Sequence, residues 1–550
     1  MDFNHTPLTV VSPVHQPKLE LLRQCRDSIF GQDDPNWIWI LAVDGPQDEA
    51  CSALLQQFTS DNRIQVTFLE NQSGISAATN LGVSHVTTTH VALLDQDDLL
   101  TSDAVRTVRE VIATNPDVDY IYSDEDKLDE DGNFCCRFRK PMWSPERLRA
   151  QNYCCHLSVF KTAIFDNHQF DQAFDGAQDH ELLLRISSEL KHVVHIPKVL
   201  YHWRISDTST SKDSSVKPAA VARARTAAEQ HLSSRGISAE CSTNSSGYTT
   251  FASRRSAGWE PSVSIIIPTA GKRARIGGSD QLLVKNCILS LSSSSYKNFE
   301  VVLVHDMLES HVLKDLRVEG INLREVSYSR QFNFSEKTNL GVLHSDGDVV
   351  VFLNDDTQLI SSDWLETFIS YLSESDVGLV GPKLLLEDGR IQSAGHWNSF
   401  GAHHCGAGLN YDYPGPFGIF SIAGERSGLT LACAATTRRI FEAVGGLSEE
   451  FPGAFNDVDF GNKLRSCGYR LIWTPAVEMF HFESLSRDPS TSPDEIRSIY
   501  RRWKSELDSP DPYLPGLDLQ IAGVDFSNAM LTHVPGTSPH HSELTQLGIV

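Results

Sequence analysis

The chain repeats one sequence plan twice, and this internal duplication limits what it can fold into more than any other feature does. The tetrapeptide Thr-Asn-Leu-Gly occurs at 79–82 and again at 338–341, and an acidic turn follows each copy at the same offset, at 95–98 and 354–357. Farther along, each copy has an aspartate, then a proline, then a histidine, at nearly the same spacing. Several landmarks in one order predict two related domains in tandem.

Short apolar segments alternate with amphipathic ones in both copies. Apolar runs that end at Pro13 and Pro268 predict the first strands, and Trp37–Val43 and Phe299–Val304 predict the second strands. A helix with one apolar face is predicted over 364–372. Because strands that alternate with helices imply right-handed crossovers, we predict an α/β fold in which each domain has a mainly parallel central sheet.

Changes in composition mark the domain boundaries. The stretch 236–262 is rich in Ser, Thr and Gly, which predicts a connector between an N-terminal domain at 1–235 and a C-terminal domain at 263–530. The remaining residues, 531–550, are polar and are predicted to form a frayed tail. A length of 550 residues with 40% apolar residues agrees with two large folded domains.

Charge and cysteine content exclude several classes of protein. A formal net charge of −24 disfavours binding to a phosphate backbone, so we expect no nucleic-acid partner. The 11 cysteines form no C-x-x-C pair, which is typical of reduced thiols in a cytosolic protein. We see no signal peptide and no apolar run of spanning length. The expected location is the cytoplasm, with peripheral association at the inner membrane face where an acceptor is carried on a lipid.

Acidic residues end a predicted strand in each copy. They are Asp95 and Asp97 in the first copy and Asn354, Asp355 and Asp356 in the second. Ligands of open parallel sheets bind at the carboxyl ends of the strands, and oxygen donors of this kind suit Mg²⁺ or Mn²⁺, which can bridge a diphosphate. An acidic turn also suits the cap of a following helix, but two such turns in register favour the metal.

One aspartate in each copy is a candidate general base. Asp179 and Asp457 both precede an apolar helical stretch. A carboxylate there can take a proton from an attacking hydroxyl, whereas the same position also suits a helix N-cap. The residues alone leave both interpretations open.

Four further residues have a functional and a structural interpretation. His202 and His481 lie beside aromatic residues at matched distances from the acidic turns, and they suit either a metal or diphosphate ligand or a packed histidine. Asp44 and Asp306 end the second strand of each copy. A carboxylate there can accept a hydrogen bond from a nucleotide base, or it can stabilise a turn.

Taken together, these motifs resemble glycosyltransferase family 2, the inverting enzymes with the GT-A fold, a Rossmann-like nucleotide-diphospho-sugar transferase fold. The resemblance covers roughly residues 8–530 and is specific to the family but not to the sugar. It is strongest to tandem bacterial enzymes that build O-antigen and related surface polysaccharides, some of them rhamnosyltransferases. The stretches that carry it include 120–127, 140–145, 200–204, 332–335, 352–357, 456–460 and 481–487.

The resemblance implies a role for each candidate position. The implied positions are the catalytic bases Asp179 and Asp457, the metal ligands Asp97, Asp356, His202 and His481, and the nucleotide-binding residues Pro13, Asp44, Asp95, Pro268, Asp306, Asn354 and Asp355. The implied substrates are a UDP-, dTDP- or GDP-sugar donor and a glycan or lipid-linked glycan acceptor, with Mg²⁺ or Mn²⁺ as cofactor and polysaccharide-assembly proteins as partners. Asn354 departs from the aspartate that is common there, so its contact with the nucleotide is neutral.

Four functions remain open at this stage. Both copies can transfer sugars, or one can be catalytic while the other is a degenerate domain for glycan binding or assembly. A nucleotidyltransferase on a similar sheet would release pyrophosphate instead of a nucleoside diphosphate, and a sugar-binding scaffold would release neither. The stretch 396–417, which contains several Gly and aromatic residues, suits either an acceptor wall or an ordinary surface loop.

Overall fold

The repeated sequence folds into two α/β units. A computed structural model describes residues 6–205, 218–243, 250–398, 401–482 and 491–515. Unit 1 comprises Met1–His231 and Cys241–Phe251, and unit 2 comprises Leu232–Glu240 and Ala252–Val550. The α/β class is confirmed, whereas the exact domain boundaries stay predictions and the predicted tail lies outside the described residues.

Unit 1 is built on a nine-stranded sheet. Its strands are β1 Leu8–Val14, β2 Trp37–Val43, β3 Ile64–Phe68, β4 His90–Leu93, β5 Leu99–Leu100, β6 Tyr120–Leu128, β7 Phe134–Phe138, β8 Ser158–Lys161 and β9 Val193–Arg204. Its helices are α1 Leu19–Phe30, α2 Glu49–Phe58, α3 Ile75–Ser84, α4 Ala104–Thr114, α5 Pro145–Ala150 and α6 Gln178–Ile186.

Further elements lie in and before the predicted connector. They are α7 Pro218–Ser234, β10 Ile237–Thr243 and β11 Phe251–Ala257. The connector prediction therefore missed two strands, because its Ser- and Thr-rich composition hides short apolar positions such as Ile237 and Phe251, both of which are buried.

Unit 2 is built on a ten-stranded sheet and two small hairpins. Its strands are β12 Val263–Thr269, β13 Arg273–Ile276, β14 Ser279–Leu282, β15 Phe299–His305, β16 Asn322–Ser327, β17 Val349–Leu353, β18 Thr357–Leu359, β19 Val377–Leu385, β20 Ile391–Ser393, β21 His396–Asn398, β22 Ala402–His404, β23 Gly424–Glu425, β24 Cys433–Thr437 and β25 Arg470–His481. Its helices are α8 Leu283–Ser290, α9 Ser310–Asp315, α10 Phe334–Leu343, α11 Trp364–Leu372, α12 Arg438–Ala443, α13 Asn456–Ser466 and α14 Pro493–Asp508. None of these described helices, in either unit, combines the length and apolar character needed to cross a bilayer.

The two sheets have the same strand order. Unit 1 runs β3-β2-β1-β4-β8-β6-β9-β5, and unit 2 runs β16-β15-β12-β17-β24-β19-β25-β18, strand for strand. The first four strands of each sheet are parallel, and the near-continuous apolar runs of β1 and β2 in unit 1, and of β12, β15 and β17 in unit 2, are buried on both faces. Antiparallel strands β8 and β24 then follow. The internal duplication predicted from the repeat thus extends to the topology.

The first strand of each unit continues past the proline that was predicted to end it. Pairing between β1 and β2 extends through Pro13 to Val14, whereas pairing between β1 and β4 ends at Val11. In unit 2, pairing with β15 likewise extends through Pro268. Each first strand continues past its proline because it stays paired with one neighbouring strand, β2 in unit 1 and β15 in unit 2.

The glycine of the repeated tetrapeptide lets a helix lie close to the sheet. A Cβ added at Gly82 in α3 would lie 2.6 Å from Cγ1 of Val11, and one added at Gly341 in α10 would lie 2.4 Å from Cγ2 of Ile266. Both distances are too short for any side chain, so only glycine fits. The repeat therefore preserves a packing contact between helix and first strand.

The asparagine of the same tetrapeptide holds the segment that leads to the candidate base. Asn80 exchanges two hydrogen bonds of 2.9 Å with the backbone of Phe170, and Asn339 does the same with Leu447 at 2.9 and 3.0 Å. Phe170 precedes α6 and Leu447 precedes α13. This motif thus helps to position the helices that carry Asp179 and Asp457.

We expect Gly341→Ala to destabilise unit 2 by about 1–3 kcal/mol, although alanine is the better helix former. The added methyl group would also meet Cγ2 of Val304 at 2.9 Å, and both neighbours are rigid, fully buried β-branched residues. Urea unfolding of the full chain measures the effect. Gly258→Ala is the matched control, since its Cβ would meet nothing within 4 Å. Equal stability of both variants would contradict this packing.

Candidate active sites

The acidic turn of unit 1 lies at the carboxyl end of β4, next to β1. Asp95 and Asp97 are half-buried there, and Asp98 is buried. The helix that follows, α4, has Asp103 as its N-cap residue, so the turn does not cap that helix. These carboxylates are therefore placed at the ligand-binding end of a parallel sheet rather than in a capping role.

Asp98 is a functional candidate that the sequence interpretation did not assign. Its carboxylate accepts hydrogen bonds from the Tyr201 hydroxyl at 2.6 Å and from the Arg204 backbone N–H at 2.7 Å. Burial, and then the charges of Asp95 and Asp97, raise its pKa well above the usual range. Three carboxyl groups crowded in one turn favour a cation beside them.

Asp44 binds the start of a neighbouring helix. Its two carboxylate oxygens accept hydrogen bonds from the backbone N–H groups of Ser73 at 2.6 Å and Gly74 at 3.1 Å, immediately before α3. His15, two residues beyond Pro13, lies 3.7 Å from the same carboxylate. Asp44 thus lies in the loop region where the first two strands end, and its carboxylate fixes the backbone that leads into α3.

Asp179 occupies the second position of α6 rather than its N-cap, which is Ala177. The side chain of Asp179 accepts a hydrogen bond of 2.8 Å from Nδ2 of Asn152. Asn152 belongs to the segment between α5 and β8, and this same segment carries His156 to the acidic turn. One short segment therefore contacts both the candidate base and the candidate metal site of unit 1.

His202 lies away from the acidic turn. Its Nδ1 is 2.5 Å from Asp126, and its ring stacks on Phe134 at 4.1 Å. Tyr201, its neighbour in β9, is the residue that contacts Asp98. Because successive side chains in a strand point to opposite faces, His202 points to the other face, and no described contact joins it to Asp97.

His156 is the histidine that unit 1 does bring to its acidic turn. Ligand atoms of Asp95, Asp98 and His156 lie within 4.8 Å of one another. Nδ1 of His156 lies 3.2 Å from Glu125, whose carboxylate pairs at 2.9 Å with the fully buried Lys140. Burial alone would raise the pKa of Glu125, but Lys140 and His156 lower it to about 2.

The acidic turn of unit 2 lies at the carboxyl end of β17. Thr269 donates a 2.6 Å hydrogen bond to Asp355, and Nε2 of His481 lies 3.3 Å from Oδ1 of Asp356. Burial, and then the charge of Asp356, raise the pKa of Asp355 to about 7. Asn354 accepts a hydrogen bond at its backbone oxygen from Thr357. Here the structure does bring the predicted histidine and carboxylate together.

Asp306 has a partner that the sequence interpretation missed. Nζ of Lys337 lies 2.7 Å from Asp306 and donates a second hydrogen bond of 2.9 Å to the backbone oxygen of Thr269, immediately after Pro268. The Lys337 side chain is 1% exposed. At the matching position unit 1 has Ala78, so Asp44 and Asp306 have unlike electrostatic surroundings.

Asp457, like Asp179, occupies the second position of its helix, α13, whose N-cap residue is Phe455. Nε2 of the buried His396 lies 3.6 Å from its carboxylate. His404 pairs with His396 across β21 and β22, within the stretch that was predicted as a loop. The charges of both Asp457 and His481 act on the ring of His404, so this hairpin lies near the candidate base and near the histidine that contacts Asp356.

We expect acid to destabilise unit 2 through these two histidines. Burial lowers the pKa of His396 to about 4, and burial together with His396 lowers that of His404 to about 3. Below about pH 6.5 the histidines of the unfolded chain bind protons, while the folded rings stay neutral. The free energy of unfolding therefore decreases as the pH is lowered, by up to about 1.4 kcal/mol for each pH unit and each ring. His404→Asn should make the fall shallower.

Urea midpoints at pH 7 and pH 5 measure this dependence. The exposed His311 provides a matched control, because His311→Asn removes a histidine that is largely in water. An unchanged slope in His404→Asn would contradict the assignment.

The donors of both acidic turns fit a divalent cation. Carboxylate oxygens suit Mg²⁺ and Mn²⁺, and an imidazole beside them is better tolerated by Mn²⁺. Unit 1 offers Asp95, Asp98 and His156, and unit 2 offers Asp356 with His481. Each set combines hard oxygen donors with one imidazole nitrogen.

Two curated proteins are similar to this chain over most of its length. Its relatives include the uncharacterized protein y4gI of Sinorhizobium fredii, 36% identical over 93% of this chain and 58% of that protein. The O-antigen biosynthesis protein RfbC of Myxococcus xanthus is 29% identical over 92% of this chain and 40% of that protein. The chain thus spans about half the length of these relatives.

Two solved structures are similar to part of this chain. One is S. aureus TarS 1–349 in complex with UDP, at 13% identity and a TM-score of 0.32, over 42% of this chain and 70% of that chain. The other is the mannosyltransferase PcManGT from Pyrobaculum calidifontis in complex with GDP-Man and Mn²⁺, at 16% identity and a TM-score of 0.33, over 46% of this chain and 66% of that chain.

The family itself follows from the sequence match. The sequence model described as glycosyl transferase family 2 matches residues 9–168 and 264–445, one range in each unit. These two ranges cover more than half of the chain and contain both acidic turns. The chain therefore belongs to glycosyl transferase family 2 and has its GT-A fold.

Proposed function

We propose that this chain is a dual-site inverting glycosyltransferase that moves sugars from nucleotide-sugar donors to a growing surface polysaccharide or lipid-linked glycan. One observation carries the proposal. In unit 1, the segment before β8 contacts both the acidic turn and the candidate base Asp179; in unit 2, the hairpin β21–β22 contacts the candidate base Asp457, and the charges of Asp457 and His481, the histidine beside Asp356, both act on the ring of its His404.

The bases act on the acceptor. In this proposal Asp179 or Asp457 takes the proton of the attacking hydroxyl, and the hydroxyl oxygen displaces the nucleoside diphosphate from the opposite face of the anomeric carbon. One displacement inverts the configuration, and no carboxylate nucleophile is required. Asn152 and His396 hold the two bases in place.

The acidic turns act on the donor. Asp97 and Asp356 are the proposed main ligands of a divalent cation, whose chemistry is to neutralise the charge that develops on the departing diphosphate. We propose that Asp95 and Asn354 face the ribose and that Asp44 and Asp306 face the base.

The two sites are proposed to prefer different donors or linkages. Asp306 is neutralised by Lys337, whereas Asp44 is held by backbone N–H groups. Asp457 faces an imidazole, whereas Asp179 faces an amide. Unlike pockets in one chain suit the alternate addition of two sugars. An O-antigen biosynthesis protein among the relatives supports a polysaccharide acceptor at the inner membrane face.

A second candidate is one catalytic unit with a degenerate partner. Asn354 and the Lys337–Asp306 pair both remove negative character from unit 2, which favours unit 1 as the catalytic one in this alternative. Unit 2 would then bind the glycan or an assembly protein.

A panel of nucleotide-sugars with Mn²⁺ or Mg²⁺ tests the proposal. We expect release of a nucleoside diphosphate from at least one UDP-, dTDP- or GDP-sugar, in an amount equal to the sugar transferred. Release of pyrophosphate from a nucleoside triphosphate and a sugar phosphate would instead identify a nucleotidyltransferase. Binding of glycans without release of any nucleotide would identify a scaffold.

A further inference from the structure

We infer that the two units recruit their metal-binding histidine from different elements: unit 1 uses His156, in the segment before β8, and unit 2 uses His481, at the end of β25. The inference rests on the proposed function, since it concerns the cation of the same sites. It assigns a ligand that the internal sequence repeat does not predict. The matching histidine of the sequence repeat, His202, is left with a structural role.

The strand registers explain why His202 and His481 are not equivalent. In unit 2, β18 pairs with β25 so that Thr357 lies opposite His481. In unit 1, β5 pairs with β9 so that Leu99 lies opposite His202. Thr357 matches Asp98 in the repeat. The register of β5 with β9, continued by one residue, sets Asp98 opposite Trp203, so Trp203 and not His202 occupies the position that His481 has in unit 2. The register differs by one residue, and a shift of one residue turns every side chain to the other face.

In unit 1 the histidine at the acidic turn is His156, which reaches the turn from the side of β8 and not from β9. Leu93 pairs with Ser158 across β4 and β8, and the same register continued by two residues sets His156 opposite Asp95. In unit 2 the residue opposite Asn354 is Ala432, whose backbone oxygen accepts a hydrogen bond of 2.9 Å from Asn354. Alanine offers no side-chain donor. Each unit therefore brings one histidine to its turn, from a different place.

The surroundings of His156 are those of a metal ligand. Its ligand atom groups with those of Asp95 and Asp98 within 4.8 Å, and its Nδ1 lies 3.2 Å from Oε2 of Glu125. Histidines that bind metals usually hold a carboxylate with the other ring nitrogen, which fixes the ring orientation. Lys140 in turn anchors Glu125 at 2.9 Å with a fully buried side chain.

Two aromatic residues of β9 complete the support. The His156 ring stacks on Tyr201 at 4.5 Å with an interplanar angle of 16°, and Trp203 lies 4.9 Å away. Tyr201 also donates its hydroxyl to Asp98, so it orients two members of this group of three residues at once. Packing and hydrogen bonds thus hold His156 at the acidic turn.

Binding of Mn²⁺ alone to the full chain tests the inference. The background variant Asp356→Asn weakens the site of unit 2, and titration followed by the Mn²⁺ electron paramagnetic resonance signal then reports unit 1. We expect His156→Gln to weaken this binding by roughly tenfold or more, and Glu125→Gln to weaken it less. His202→Asn, the matched control, should bind as the background does. Equal binding in His156→Gln, or loss in His202→Asn, would overturn the assignment.

A second measurement leaves the His156 network intact. In the double variant His202→Asn/His481→Asn, we expect Mn²⁺ still to show spectroscopic coupling to an imidazole nitrogen, which must come from unit 1. Absence of that coupling, or absence of any Mn²⁺ binding, would refute the inference. Mn²⁺ bound through His156 without release of nucleoside diphosphate from any donor would refute the proposed function and not the histidine assignment.

Discussion

Replacing Asp97 by Asn should abolish most sugar transfer at unit 1, and Asp356→Asn should do the same at unit 2. We expect each rate to fall roughly a hundredfold to a thousandfold, since the loss of one group that stabilises developing charge is typically worth about 3–4 kcal/mol. An amide keeps the shape of the side chain but loses the charge that holds a cation. The measurement is nucleoside diphosphate release, with products resolved by linkage.

The two variants also decide between one active unit and two. If both units are catalytic, each variant removes one product and leaves the other at the parental rate. Loss of all products in Asp97→Asn, with no change in Asp356→Asn, would show that unit 2 is not catalytic. The exposed residues Asp131 and Asp315 supply matched Asp→Asn controls, one in each unit. Parental rates for every product in both test variants would contradict the role of the acidic turns.

Replacing Asp179 or Asp457 by Asn should lower the turnover of its own unit by roughly a hundredfold to ten-thousandfold, the usual contribution of a general base. Binding of the nucleotide-sugar should stay within a factor of about two, because the base acts on the acceptor and not on the donor. Asparagine can still pair with Asn152 or lie beside His396, so the local structure should persist.

The pH profile separates this chemical role from a structural one. Both aspartates lie in the first turn of a helix, where a charge contributes only about 0.3–1 kcal/mol of stability through the helix dipole. A structural role would change the urea midpoint and leave the pH dependence of turnover unchanged. A loss of the acidic limb of the profile at unchanged stability is the result expected for a base. Parental turnover in both variants would contradict it.

Much of the fold could be predicted because the repeated residues are those that make the same packing contacts and hydrogen bonds in both units. Gly82 and Gly341 tolerate no side chain against the first strand, and Asn80 and Asn339 hold the segments before α6 and α13. Each of these contacts depends on the identity of one residue, so both copies keep the same residue at the same spacing. The apolar runs of the central parallel strands, such as β1 and β12, are equally visible, since both faces of these strands are buried.

The proposed histidine ligand of unit 1 could not be predicted from the repeat, because its position depends on strand register. The pairing of β6 with β9 shifts around Asp124, and the pairing of β19 with β25 shifts between Pro382 and Lys383. Irregularities of this kind change which face a residue occupies without changing its spacing along the chain. Lys337 was missed for a related reason, since its unit 1 counterpart is an alanine and the repeat gives no sign of a cation there.

A quenched reaction of the parent and of the double variant Asp97→Asn/Asp356→Asn tests the central claim most directly. The donor is the nucleotide-sugar that the parent uses fastest, and both nucleoside diphosphate and transferred sugar are counted. We expect one nucleoside diphosphate per transferred sugar in the parent and neither product above background in the double variant, with the same urea midpoint for both proteins. Transfer by the double variant at the parental rate would contradict the claim that the two acidic turns are the donor sites.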